Sequence, residues 1–308
     1  MSKKSYFGVN GVARNVKSWP VGIGNVARKA KSGYFGVGGV ARQFLGGVDP
    51  VLNNNDWATI RAVSDASQGA NYWSVGDTKS ITINGKAGNF TFSSYTVDAF
   101  IIGFNHNSTK EGSNRIHFLI GKSGGKLVGL CDGSYSSSVS STGYFSMNSS
   151  STNSGGWNAS QMRKTLLGNS GTPTSPTANT LLAALPSDLR AVMKSVTKYT
   201  DNTGNASNVS GNVTATSDYL FLLAEFEVKG SRTYANSYEQ NSQAQYDYFK
   251  AGNSKIAYRH TATGTAAFWW LRSADCYLSN LFCYVHTDGR AYSYYADYSE
   301  GVLPGFAV

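Results

Sequence analysis

The sequence predicts an α+β protein preceded by a small module of repeated β-hairpins. Three observations carry this. A 14-residue repeat fills residues 5–46, short apolar stretches alternating with polar residues recur beyond it, and two longer stretches have helical spacing. With 308 residues, 41% of them hydrophobic, the chain can bury a substantial core. Only 15% are charged, while Gly (34) and Tyr (19) are abundant, a balance closer to loop-rich surface proteins than to helical enzymes.

In the repeats, Gly8, Gly22 and Gly36 are in register, as are Val12, Val26 and Val40 and the closing Arg14, Arg28 and Arg42. Each copy is centred on a dipeptide that tolerates positive φ (Asn10-Gly11, Gly24-Asn25, Gly38-Gly39) between apolar arms, which predicts three tandem hairpins over residues 1–47. Hairpins this small need a covering partner, so attachment or oligomerisation is the expected role. A flexible basic leader is the plainer alternative. Residues 1–46 carry eight Lys or Arg and no acid, whereas the remaining 262 residues hold 19 bases and 18 acids. The basic character therefore belongs to the module alone. Without a groove-reading helix or many stacking aromatics, nucleic acid is not an expected partner.

Residues 48–308 read as one ligand-binding domain. Asn55 or Asp56 caps a helix from Trp57 to about Ser67, with Trp57, Ile60 and Val63 on one face. Trp73 to Thr78 is expected as a strand, and Ile81 and Ile83 lead into an Asn84-Gly85 turn with Phe90 and Phe92 returning. Val97–Phe104 and Arg115–Ile120 are further strands. Residues 133–156, rich in Ser, Gly and Asn, are expected as a surface excursion. Trp157–Leu167 is helical in pattern and stopped by Gly168. Leu181–Val196 is a helix interrupted or restarted at Pro186. Tyr219–Val228 is apolar enough for burial, with a period that leaves helix and strand open.

The last forty residues carry the functional reading. Phe268–Ser273 and Phe282–Val285 are aromatic-rich strands, Gly289 marks a turn, and residues 301–308 close with a strand. Trp269, Trp270, Leu271, Phe282, Val285, Gly289, Val302, Pro304 and Phe306 are expected as scaffold. Between them lie Asp275, Cys276, Tyr277, Ser279, Asn280, Tyr284, His286, Asp288, Arg290, Tyr292, Tyr294, Tyr295, Asp297, Tyr298 and Ser299, the candidate ligand-binding residues. Tyrosine supplies amphipathic contact area at low entropic cost and small polar residues adapt their hydrogen bonds, as on evolved recognition surfaces. Alternating Tyr and small residues also suit an ordinary half-exposed hairpin.

Trp270-Leu-Arg-Ser273, Phe282-Cys283-x-Val285, Gly289 and Gly301-Val-x-Pro-Gly-Phe306 resemble the variable proteins of diversity-generating retroelements in phages and prophages of Gram-positive bacteria. Trp57, Trp73-Ser-Val-Gly-Asp77 and Ser154-Gly-Gly-Trp-Asn-Ala-Ser-Gln-Met-Arg163 extend the likeness over about residues 50–308. The resemblance implies a C-type lectin fold of the formylglycine-generating-enzyme type. It also implies a face at 275–299 diversified through adenine-directed mutagenesis, and binding of a host-cell surface protein or glycan. The N-terminal repeats look like modules of phage structural proteins, implying attachment to a phage tail, several copies per particle, and a virion or extracellular location. Lys, Glu, Gln, Met and Trp cannot arise from an Asn AAC codon by adenine changes. Residues 275–299 contain none of the five, although about three would be expected in proportion. Leu303 departs from the pattern, which usually has Arg there.

An enzyme is not expected. The three cysteines (Cys131, Cys276, Cys283) form no metal spacing or recognisable redox pair, and His106, His117, His260 and His286 are scattered. Asp98, Asp132, Asp218 and Glu225 form no paired acid motif. No cofactor or metal is expected. No apolar run suits a membrane span, and the polar N-terminus lacks a signal-peptide core, which favours release by lysis or within a particle. A bacterial surface or secreted adhesin and a formylglycine-generating-type oxidase are the alternatives.

Overall fold

The computed structural model describes residues 47–131, 135 and 145–308, and the backbone of 5–9, 12–16, 20–23, 26–29, 32–37, 40–46 and 137–138. The chain divides into two units, Met1–Asp49 and Pro50–Val308. In the first, β1 (Ser5–Val9) pairs with β2 (Val12–Val16), β3 (Pro20–Ile23) with β4 (Val26–Lys29), and β5 (Ser32–Val37) with β6 (Val40–Gly46), all antiparallel. Val9 faces Val12, Ile23 faces Val26 and Val37 faces Val40, so two residues separate each strand pair. The turn dipeptides at 10–11, 24–25 and 38–39 lie outside the described residues.

The second unit is mixed α+β. It opens on α1 (Trp57–Asp65), whose N-cap is Asp56: its carboxylate accepts the Thr59 N–H at 2.7 Å. Trp57, Ile60 and Val63 face inward as their spacing requires. Asp56→Ala should lower stability by about 1 kcal/mol, read as a shifted urea midpoint with unchanged slope.

The segment from Trp73 to Asp77 corrects the expected strand. Asp77 accepts the Ser74 N–H and folds these residues into a turn, so β7 spans Thr78–Ala87. Its partner β8 (Phe90–Phe104) makes a longer hairpin than the Asn84-Gly85 signal suggests. Asn84 Oδ1 instead accepts the Ser94 N–H across the ladder, Gly85 (φ +124°) sits in a bulge, and the chain reverses at Gly88-Asn89. After α2 (Ser108–Glu111), β9 (Ile116–Ser123) joins β8 and β10 (Lys126–Gly129) follows.

The short β11 (Ser137–Ser138) falls in the expected surface excursion, yet Phe145, Ser146 and Met147 in the middle of that stretch are buried. The expected helix over 157–167 is two pieces, α3 (Gly156–Ala159) and a wide π-type turn at Met162–Leu166. Ser160 breaks it by donating to Trp157 O and accepting from Arg163 N. Pro186 likewise divides α4 (Leu181–Ala184) from α5 (Ser187–Arg190), because the preceding Leu185 is held extended. The helical reading ends there: Val196 begins β12 (Val196–Asp201), which pairs with β13 (Val213–Asp218). The 219–228 stretch is buried irregular chain running into α6 (Glu225–Lys229).

Beyond α7 (Asp247–Lys250), β14 (Ala257–Arg259) and β15 (Ala262–Ala267) complete one edge of a seven-stranded sheet, six strands of which run in the order β15-β14-β10-β9-β8-β7 while the seventh, β20 (Gly305–Ala307), pairs with β9 off that path. A separate three-stranded sheet holds β16 (Trp269–Ala274), β17 (Leu281–Val285) and β18 (Ala291–Tyr295). The brief β19 (Tyr298–Ser299) pairs with β11, and β20 (Gly305–Ala307) returns onto β9 with Phe306 opposite Phe118. Those two rings stack at 5.1 Å, with Trp57 edge-on to both, so the first helix and last strand close one core. No helix among the described residues is long and apolar enough to cross a membrane.

Candidate binding face

The three-stranded sheet grades from buried to exposed across its width. Every residue of β16 and β17 is buried, while all five of β18 are at least partly exposed. All nine expected scaffold positions fit this frame: eight are buried and Gly289 holds φ +81° at the β17–β18 turn.

Antiparallel register sets Tyr284 opposite Tyr292 and Phe282 opposite Tyr294. Tyr284, 5% exposed, is the floor of an aromatic cluster, with Tyr294 at 5.7 Å, Tyr292 at 6.2 Å and Phe268 at 5.0 Å between ring centroids. His286 stacks on Phe268 at 4.7 Å, and Tyr298 meets Tyr294 edge-on at 4.8 Å. Tyr295 and Tyr234 extend the cluster. Burial pushes the Tyr284 hydroxyl well above its usual range, so it serves the cluster as a neutral group. At the turn, Asp288 accepts the Arg290 N–H and lies 3.2 Å from His286 Nδ1; that amide, before the neighbouring charges, lowers its pKa. The Arg290 side chain extends into solvent.

Four candidate residues are corrected: Asp275, Cys276, Tyr284 and Ser299 are buried, Tyr284 as the floor of the cluster. Asp275 Oδ1 accepts the Tyr277 and Leu278 N–H groups and so shapes the tip loop. The Cys276 N–H donates to Tyr234 O, and the Ser299 hydroxyl lies 3.6 Å from Cys131 Sγ. Tyr277 and Ser279 are exposed on that loop, and Asn280 and Asp297 are half-buried. Composition missed Phe268 and Tyr234 as ring partners, and Asn153. The last is fully buried in a Ser- and Asn-rich stretch and donates to the carbonyls of Asp275, Leu278 and Leu281 at 2.9–3.0 Å.

Behind β16 lies a buried ionic network. Arg272 makes a two-pronged ion pair with Glu227, and Lys198 Nζ bonds Glu111 at 2.7 Å, Glu227 at 3.0 Å and the Tyr246 hydroxyl at 2.8 Å. His106 stacks on Tyr246 at 3.6 Å with His117 beside it. His106, Glu111 and Glu227 have the donor set and proximity to ligate a metal, with ligand atoms within 4.8 Å of one another. The Lys198 ammonium already supplies the cation between the two carboxylates, which suits an internal ion network. The three cysteines are buried free thiols, and burial raises the pKa of Cys276 and, far more, of Cys283, which disfavours the reactive thiolate.

No curated protein and no solved structure matches the chain. Residues 138–308, more than half of the chain, match the model of a family described as a domain of unknown function, DUF6273. Residues 50–137 lie outside the match although β20 is hydrogen-bonded to β9. By that match the protein belongs to the DUF6273 family.

Proposed function

We propose that this protein is a ligand-binding protein of C-type lectin-like fold, not an enzyme, and that the aromatic cluster of β17 and β18 is its recognition face. The observation that carries the reading is the half-exposed group of Tyr292, Tyr294, Tyr295 and Tyr298 on a completely buried strand pair. Rigid tyrosines over a fixed scaffold provide contact area without ordering loops on binding. The hydrogen-bonded scaffold can hold its shape while the exposed positions change, which suits diversification by a retroelement. Hence the proposed setting is a phage tail or another extracellular surface. Residues 1–47 would attach the chain to a tail protein or sister copies, and several copies would gain avidity for a host-surface protein or glycan.

Tyr292→Ser combined with Tyr294→Ser should weaken adsorption of particles to host cells about 100-fold, with the urea midpoint little changed. Unaltered adsorption would sink the reading. Diversification itself predicts a nearby DNA repeat that differs from the 275–299 coding sequence only at adenines.

A further inference from the structure

Seven large hydrophobic residues are exposed among the described residues, and of the six outside the tyrosine cluster four occupy neighbouring loops: Val209 (50% exposed), Tyr238 (41%), Tyr277 (58%) and Leu278 (53%). Buried asparagines lock these loops together. Asn153 holds the 275–281 loop through its three carbonyl bonds and accepts the Asn205 N–H at 2.8 Å. Asn236 donates to Val209 O at 3.0 Å and to Asp201 at 2.8 Å, while Asn208 Oδ1 accepts the Ser237 N–H at 2.8 Å. Ala235 bridges to Asp275 and closes the frame. Apolar side chains held on such a frame lose little conformational freedom on being covered.

Deepening the binding reading above, we infer that these loops form a second contact surface whose occupant is a protein; it joins the tyrosine face at Tyr234, whose ring lies 6.2 Å from that of Tyr292 and whose carbonyl accepts the Cys276 N–H. Val209 and Leu278 offer no hydrogen bond to a sugar hydroxyl, and the Tyr277 hydroxyl accepts from Arg232 Nη1 at 3.1 Å. A ligand here must bring apolar surface of its own. Arg232 is the sole charged side chain at the exposed rim of residues 202–212, 231–238 and 275–280 among the described residues, since the one other charged residue there, Asp275, is buried. The complementary surface therefore carries aliphatic or aromatic side chains beside a carboxylate, which pairs with the guanidinium fork.

The full-length protein can be tested against a displayed library of disulfide-closed peptides and a printed array of glycans, with selected binders measured by surface plasmon resonance. Expected are peptides combining apolar and acidic residues whose affinity falls about tenfold in Leu278→Ser and in Val209→Ser, and further in Arg232→Glu. All three positions are solvent-accessible, and circular dichroism would verify the fold. Selected peptides that bind the three variants as well as the parent would overturn the inference, as would selection of glycans alone. Binding lost only with Tyr292→Ser and Tyr294→Ser removes this surface and leaves the tyrosine face standing. If no substitution in either set affects any binder, both readings fall.

Discussion

Arg272→Met should destabilise the 50–308 unit by about 3–5 kcal/mol, the usual cost of removing one partner from a buried ion pair. Arg272 is completely buried on β16, donates to both Glu227 oxygens, to Leu222 O and to Thr200 Oγ1, and so links β16 to α6, β12 and the 219–224 segment. Methionine fills much of the volume but leaves the Glu227 carboxylate with Lys198 as its remaining cation. Arg272→Lys should recover little, since an ammonium cannot reproduce the planar two-pronged contact. Arg61 and Asp65 form an exposed i,i+4 pair, and Arg61→Met should cost below about 1 kcal/mol by comparison. Urea unfolding of the three variants separates these outcomes. Near-equal midpoints for Arg272→Met and Arg61→Met would show that the network does not hold the core.

The contrast between Arg272 and its surroundings shows what sequence could supply. The run around it was readable as a buried strand because Trp269, Trp270 and Leu271 are strongly apolar, and Asp56 was readable as a cap because capping is local. Its partner Glu227 lies 45 residues away and Lys198 pairs with Glu111 across 87, separations at which no spacing motif operates. The tyrosine face was legible from composition, but the inward turn of Asp275, Cys276 and Ser299 was not. Each is polar or small enough for either side, and their burial is decided by the tip-loop fold and by the β19–β11 pairing. Asn84-Gly85 failed for a similar reason: a strong local turn signal was overruled by the Asn84–Ser94 bond across the ladder.

The same network predicts an unusual acid profile. Burial, followed by the Lys198 charge, lowers His106 from 6.5 to about 3 and His117 well below 6.5, so both stay neutral in the fold. Their stabilising contribution is complete above pH 6.5 and is lost as pH falls and the unfolded chain alone takes up the protons. Glu111 and Glu239 act oppositely: burial raises each from 4.5 to about 7, so their contribution is complete below pH 4.5 and lost as pH rises through 7. Two histidines against two carboxyls should leave stability nearly flat between pH 6.5 and 4.5. Below 4.5 the carboxyls no longer compensate, and Glu227 joins the histidines: burial alone would raise its pKa, but Arg272 and Lys198 hold it far below 4.5. Three protons then favour unfolding, a slope of about 4 kcal/mol per pH unit, enough to exhaust an ordinary domain within one to three units. Urea-derived stabilities at closely spaced pH values should show the plateau and the break. In His106→Gln the slope below the break should fall by about a third, and stability should rise as pH falls from 6.5 to 4.5; a steady decline from pH 6.5 in the parent would mean that the histidines titrate without opposition from Glu111 and Glu239.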